Sequence, residues 1–194
     1  MRIAVSGTHG VGKSTLIDEF LRRHPEFVYE PEPYTVLVED FGEEFGAEPC
    51  VEDFRRQLEF NLERLGQHTA DENVIYERCP LDFLAYIAAL DQQTAEKLVE
   101  TVKEVMQQLE VVVYLPLAEA NKADEFPKLQ RAVDRTLSSI FREDEFGIMS
   151  STDATVVEAE GSTDQRLRIL ENYMLSKGGH GGPSPQYDSR RPQN

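Results

Sequence analysis

The sequence predicts an α/β domain: a five-stranded parallel sheet with helices on both faces. Two observations lead there. Short apolar runs rich in β-branched residues alternate with longer stretches of helical period, and a glycine-rich loop joins the first of those runs to the first helical stretch. A chain of 194 residues is one ordinary domain's worth, long enough to bury a core without metal or disulfide support.

In chain order, residues 2 to 6 read as a short buried strand and Lys13 to Arg23 as a helix that ends before Pro25. A second strand, Phe27 to Glu30, runs into EPEPY, where Pro31 and Pro33 forbid regular continuation. From Val51 to Gln67 the apolar residues Val51, Phe54, Leu58, Leu62 and Leu65 recur at intervals of three or four, which is one helix face. Asn73 to Tyr76 is a third strand, and the stretch after it holds a helix begun near Pro80, a residue suited to the first helical turn. Ala95, Leu98, Val99, Val102, Met106 and Leu109 stripe the next helix. Glu110 to Leu115 is a fourth strand, of the β-branched kind found inside parallel sheets. Leu129, Ala132, Val133, Leu137, Ile140 and Phe141 mark another helix. Thr155 to Ala159 is the fifth strand, and Ser162 with Gln165 three positions on forms a capping box that opens the last helix. From 177 to 194, Gly, Pro and polar residues dominate without an apolar period, so the domain is expected to span 1–176 and to carry a disordered polar tail.

A formal net charge of -16, from 36 acidic against 20 basic residues, repels phosphate backbones and argues against a nucleic-acid partner. A small anionic ligand therefore needs a local positive trap. Cys50 and Cys79 are too few and too unpatterned for a disulfide framework or a zinc site, which points to a reducing compartment. No run approaches the roughly 18 apolar residues that span a bilayer, and no charged leader precedes an apolar region; a soluble cytoplasmic protein with no membrane partner is the expectation.

GTHGVGKST, Gly7 to Thr15, completes the pattern G-x-x-x-x-G-K-[ST] between a strand and a helix. Its physics is that of polyphosphate binding. The backbone of His9, Gly10, Val11, Gly12, Lys13, Ser14 and Thr15 can wrap a phosphate chain with its N–H groups turned inward. The helix N-terminus adds positive potential, Lys13 reaches the terminal phosphates, and the Ser14 hydroxyl ligates Mg²⁺. This is the trap that so acidic a chain requires, and it predicts a P-loop NTPase that binds ATP and Mg²⁺. It leaves open whether the phosphate passes to water or to an acceptor. Two other motifs lack their context: NKAD, Asn121 to Asp124, is followed instead of preceded by a D-x-x-G (Asp144 to Gly147), and DFG, Asp40 to Gly42, has no catalytic-loop signature near it.

Four further features carry a resemblance. Glu32-Pro33, or Glu30-Pro31, stands just after the second strand; FRRQ, Phe54 to Gln57, has Arg64 seven residues on; ERC, Glu77 to Cys79, ends the third strand; VVEAEGSTDQR, Val156 to Arg166, is a strand followed by a glycine loop. Together with the first glycine loop these resemble the deoxynucleoside kinase and thymidylate kinase group of P-loop phosphotransferases, and the related nicotinamide riboside kinase-like ATPases, over roughly residues 1 to 175. The resemblance implies a nucleoside- or nucleotide-kinase-like fold. It makes Glu32, or Glu30 in its place, the base on the acceptor hydroxyl. Glu77 holds Mg²⁺ through water, Arg78 braces the acceptor end, and Gln57 and Arg64 face the acceptor. Gly161 lies in the loop beside the adenine. Arg131 is a lid arginine, in a row with Lys128, Arg135 and Arg142 on one helix face. Asp82 falls one residue short of the spacing of that group's base-contacting aspartate, Cys79 replaces its serine, and the segment from Leu115 to Leu129 does not reproduce its arginine-rich lid.

The expected activity is ATP- and Mg²⁺-dependent transfer of the γ-phosphoryl group to a hydroxyl of a nucleoside-like small molecule, with Lys13, Glu32, Arg78 and Arg131 carrying the chemistry. Two alternatives stay open: a nucleotide-binding ATPase or GTPase switch acting on a protein partner, and a monophosphate kinase that neutralises an extra phosphate with Arg55, Arg56 or Arg64. A homodimeric assembly stays open as well.

Overall fold

The computed structural model describes residues 1–117 and 127–178. Its strands are β1 (Arg2–Ser6), β2 (Val28–Glu30), β3 (Val74–Glu77), β4 (Val111–Tyr114) and β5 (Thr155–Glu158). All pair in parallel, in the order β2-β3-β1-β4-β5. The helices are α1 (Lys13–Arg23), α2 (Pro33–Glu39), α3 (Val51–Gln67), α4 (Pro80–Leu90), α5 (Gln92–Met106), α6 (Lys128–Glu143) and α7 (Thr163–Gly178).

The strands read as continuous apolar runs because both sheet faces are covered. Side chains alternate between two cores. Ile3, Val5, Ile75, Val111 and Val113 pack with Leu16, Ile17 and Phe20 of α1 and Leu167 and Leu170 of α7. Ala4, Val74, Tyr76, Val112 and Tyr114 face α3, α4, α5 and α6 through Leu58, Leu65, Leu84, Val102, Val133 and Leu137. Phe20 is fully buried, and trimming such a ring to Ala costs about 3–5 kcal/mol. Arg2 also lies buried; its guanidinium donates to the carbonyls of Leu65 and His68, each at 2.7 Å. It thereby satisfies the C-terminal carbonyls of α3 and opposes that helix's dipole.

Sequence and structure part at the edges of elements. Pro31 and Pro33 do end β2, but Pro33 then occupies the first position of α2, where its missing N–H costs nothing and its φ is already helical. At seven residues α2 is too short to show a period. The Asp91 carboxylate separates α4 from α5 by accepting from the N–H groups of Gln93 (3.1 Å) and Thr94 (3.3 Å). Leu109 lies beyond α5, buried in the turn before β4. The Ser162–Gln165 capping box is formed, with Ser162 N–H donating to Gln165 Oε1 at 2.8 Å. α7 runs to Gly178, two residues into the stretch read as tail; residues 179–194 lie outside the described residues, as does NKAD. Asp40 and Gly42 close α2, and Asp144 caps the turn after α6 by accepting from Met149 N–H at 2.7 Å. Among the described residues, no helix is long and apolar enough to cross a membrane.

Because every strand runs the same way, Ser6, Glu30, Glu77, Tyr114 and Glu158 end along one edge of the sheet. The chain moves from β1 to one side and later returns to the other, so the loops at that edge diverge around β1 and leave a crevice.

Candidate active site

The glycine loop fills that crevice. Gly7, Gly10 and Gly12 have φ of 147°, 84° and 92°, conformations that side chains resist. At Gly7 the requirement is also spatial, since a Cβ would stand 2.6 Å from the carbonyl oxygen of Leu115. Gly12 is the N-cap of α1 and supplies no side-chain cap, and the first turn holds no acidic residue. Among the described residues no side-chain cap engages the N–H groups there, as anion binding needs. Lys13, only 4% exposed, folds back so that Nζ donates to Thr8 O at 3.2 Å. Burial, reinforced by the Arg78 guanidinium, lowers its ammonium pKa to about 8 against the pull of Glu32, Asp82 and Glu77.

Beside Lys13, the Ser14 hydroxyl donates to Glu77 Oε1 at 2.8 Å, and the Tyr29 hydroxyl donates to the other oxygen at 2.7 Å. Burial and this bond push the Tyr29 phenol pKa upward. A hydroxyl and a carboxylate side by side, next to a phosphate cradle, form the oxygen-rich set that Mg²⁺ takes when phosphates and water complete its shell. Among the described residues no three His, Cys, Asp or Glu side chains gather as a protein-only metal cage. Tyr29 escapes sequence reasoning because nothing in the pattern of β2 says that its phenol reaches across to β3.

Arg78 follows β3 in a left-handed conformation, φ 78°, a strained state for a residue with a side chain. That turn aims its buried guanidinium back into the crevice. There Nε pairs with Glu32, NH1 donates to Gly7 O at 3.1 Å, and Cζ lies 5.4 Å from the centroid of the Tyr86 ring. Arg78 and Lys13 hold the Glu32 carboxyl below the usual carboxylate range in spite of its burial.

Glu32, Arg78 and His9 open onto a cavity of about 480 Å³, walled by Phe54, Phe83 and Tyr86 and reached by Asp53, Gln57, Leu129 and Gln130. The Phe54 and Tyr86 rings stack with centroids 4.4 Å apart and an interplanar angle of 18°. The Tyr86 hydroxyl accepts from His9 N–H at 3.2 Å, joining that wall to the glycine loop.

Several expected residues stand elsewhere. Glu30 is buried against Arg64 and His68, with Arg64 Nε at 2.6 Å and His68 Nε2 at 2.6 Å, so neither Glu30 nor Arg64 lines the cavity. Asp82 is fully buried, and its two oxygens accept from Gly7 N–H and Cys79 N–H, each at 2.9 Å. It braces the glycine loop instead of facing a ligand. Arg142 is taken by Glu158. Arg131 lines a smaller hollow of about 170 Å³ with Leu117, Asp134 and Arg135. Gly161, φ 92°, precedes the capping box of α7, and from the first turn of that helix Arg166 donates to Val11 O at 2.6 Å. Arg166 thus ties the loop around Gly161 to the glycine loop, a link that no spacing announces.

A family model described as an AAA domain matches residues 2–152. Among solved structures the chain is similar to a deoxyadenosine kinase from M. mycoides with bound dATP: 18% identity, TM-score 0.58, covering 90% of this chain and 100% of that one. A thymidylate kinase from Ehrlichia chaffeensis gives 17% identity and a TM-score of 0.60, with 91% and 98% covered. A NadR protein in complex with NR gives 16% and 0.62; the match covers 96% of this chain and 54% of that one, so the chain spans about half its length. At these identities the likeness is one of fold. No curated protein matches the chain.

Proposed function

The chain belongs to the AAA-domain family and has a P-loop kinase-like fold, and from that premise we propose that it transfers the γ-phosphoryl group of ATP, with Mg²⁺, to a hydroxyl of a nucleoside-like small molecule. The observation that carries the reading is the cavity beside the glycine loop with Glu32 and Arg78 in its lining. A switch acting on a protein partner has no use for a second pocket beside the terminal phosphate.

Glu32 orients the acceptor hydroxyl and receives its proton. Arg78 holds Glu32 in place and faces the charge that develops between donor and acceptor, and Lys13 leaves the Thr8 carbonyl for the terminal phosphates. Ser14 and Glu77 would hold Mg²⁺, which would supply positive charge against the phosphates. Catalysis here is positioning in a charged pocket.

An unphosphorylated acceptor is favoured over a monophosphate. Arg55 is paired with Glu52 and Glu59, Arg56 with Glu43 and Arg64 with Glu30, all outside the cavity lining. Arg78, which does line it, is committed to Glu32 and Gly7 O. The test is incubation with labelled ATP, Mg²⁺ and a panel of nucleosides, nicotinamide riboside and monophosphates. Label on a nucleoside-like product, abolished in Lys13→Ala, is expected; release of phosphate to water with no labelled acceptor would point to the switch instead.

A further inference from the structure

We infer that this cavity selects an acceptor head group that presents N–H donors, an exocyclic amino or a carboxamide, over one that presents only carbonyl oxygen to its acceptor-bearing side chains. The inference rests on the cavity being the acceptor site. Three side chains carry it, and all three offer acceptors.

Asp53 is the third residue of α3 and lines the cavity. A carboxylate in a first helical turn ordinarily serves the dipole or reaches back to the N-cap N–H. Here the N-cap is Cys50, and no hydrogen bond or ion pair engages the Asp53 carboxylate among the described residues. An ionised carboxylate can only accept. One turn along, Gln57 is 6% exposed, and its Nε2 donates to the Asp53 carbonyl at 3.2 Å. The amide's donor end is thus taken within the helix, and its oxygen is the end left for a ligand. α6 brings Gln130 to the same lining, with its Oε1 buried and without a hydrogen-bond partner among the described residues. Such an orphaned acceptor is costly in a folded chain unless something arrives to satisfy it.

The walls indicate the shape of what arrives. The stacked Phe54 and Tyr86 rings and the packed Tyr34 and Phe45 pair, centroids 5.2 Å apart, suit a flat aromatic head. Glu32 in the lining is already engaged by Arg78, so it does not compete for the head group. A ligand in the cavity puts its hydroxyl at Glu32 and its ring edge at Asp53, Gln57 and Gln130. A carbonyl oxygen on that edge would meet acceptors and leave them unpaired, a mismatch of roughly tenfold to a hundredfold in affinity.

The test uses pairs that differ only by amino against hydrogen: cytidine with pyrimidin-2-one riboside, and adenosine with purine riboside. Binding to the full chain is measured by calorimetry, and transfer of label from ATP is followed in parallel. Wild-type protein should bind the amino member of each pair about tenfold or more tightly, and Asp53→Asn, whose amide can donate, should erase most of that preference. ATP affinity reports whether the variant is folded, and Gln57→Leu, which removes a second acceptor, should reduce the preference in the same direction. Equal binding within both pairs, or full preference kept in Asp53→Asn, overturns the inference while leaving the kinase reading intact. Preferential binding without transfer to any acceptor does the reverse. Failure of every member to bind overturns both.

Discussion

Nucleotide binding to the glycine loop should take up a proton at alkaline pH, and Lys13 is the reason. The side chain is 4% exposed, and its pKa falls from 10.5 to about 8 through burial and the neighbouring Arg78. The unfolded chain holds that proton more tightly than the folded one, so between about 8 and 10.5 the nucleotide-free fold gains stability as pH rises. The charged form is disfavoured in the fold by roughly 3 kcal/mol. Binding reverses the sign. A polyphosphate beside Nζ stabilises the ammonium, so affinity is complete below the depressed value and declines as pH climbs past it. At about pH 8.5 some three quarters of free Lys13 lacks its proton, so association should absorb about three quarters of a proton. Calorimetry in buffers of different ionisation enthalpy measures this directly. Lys13→Met should abolish nucleotide binding and raise the thermal stability of the nucleotide-free protein near neutral pH, because the buried charge is gone. Zero proton uptake by the wild type under these conditions would refute the argument.

Glu32→Gln should keep nucleotide binding and lose single-turnover transfer. It also removes one of the two carboxylates beside the buried Arg78 guanidinium, leaving Asp82 at 3.5 Å, at a cost of about 1–3 kcal/mol in denaturant unfolding; normal turnover would remove Glu32 from the role of base. Tyr29→Phe deletes the phenol bond that orients Glu77 and should weaken the Mg²⁺ dependence of nucleotide binding about tenfold while metal-free binding is unchanged. An unaltered Mg²⁺ titration would mean that Glu77 needs no such support. Gly7→Ala forces a Cβ against the Leu115 carbonyl at φ 147°; it should lower the melting temperature and eliminate nucleotide binding, and wild-type behaviour in both would show that the loop can shift.

Much of the site was legible where its parts are contiguous. The glycine loop is nine successive residues whose chemistry is set by type and order, Ser14 among them, and Glu77 ends β3 where the resemblance places a metal-holding acid. What could not be read were choices among equivalent groups. Glu30 and Glu32 stand two residues apart at the end of the same strand, yet Glu30 is drawn to Arg64 and His68 while Glu32 meets Arg78. Asp82 had the right type near the right place, but its oxygens are spent on the N–H groups of Gly7 and Cys79. Arg64, though spaced for a ligand, is balanced by the wrong carboxylate for that role.

Chain order alone carries the alternation of strand and helix, the buried faces and the phosphate cradle, because each depends on periods and neighbours a few residues apart. Folding decides the rest: Tyr29 against Glu77, Arg166 against Val11, and a cavity assembled from His9, Glu32, Phe54, Tyr86 and Gln130. In an acidic chain many carboxylates could hold each cation, and only distance and burial in three dimensions say which one does.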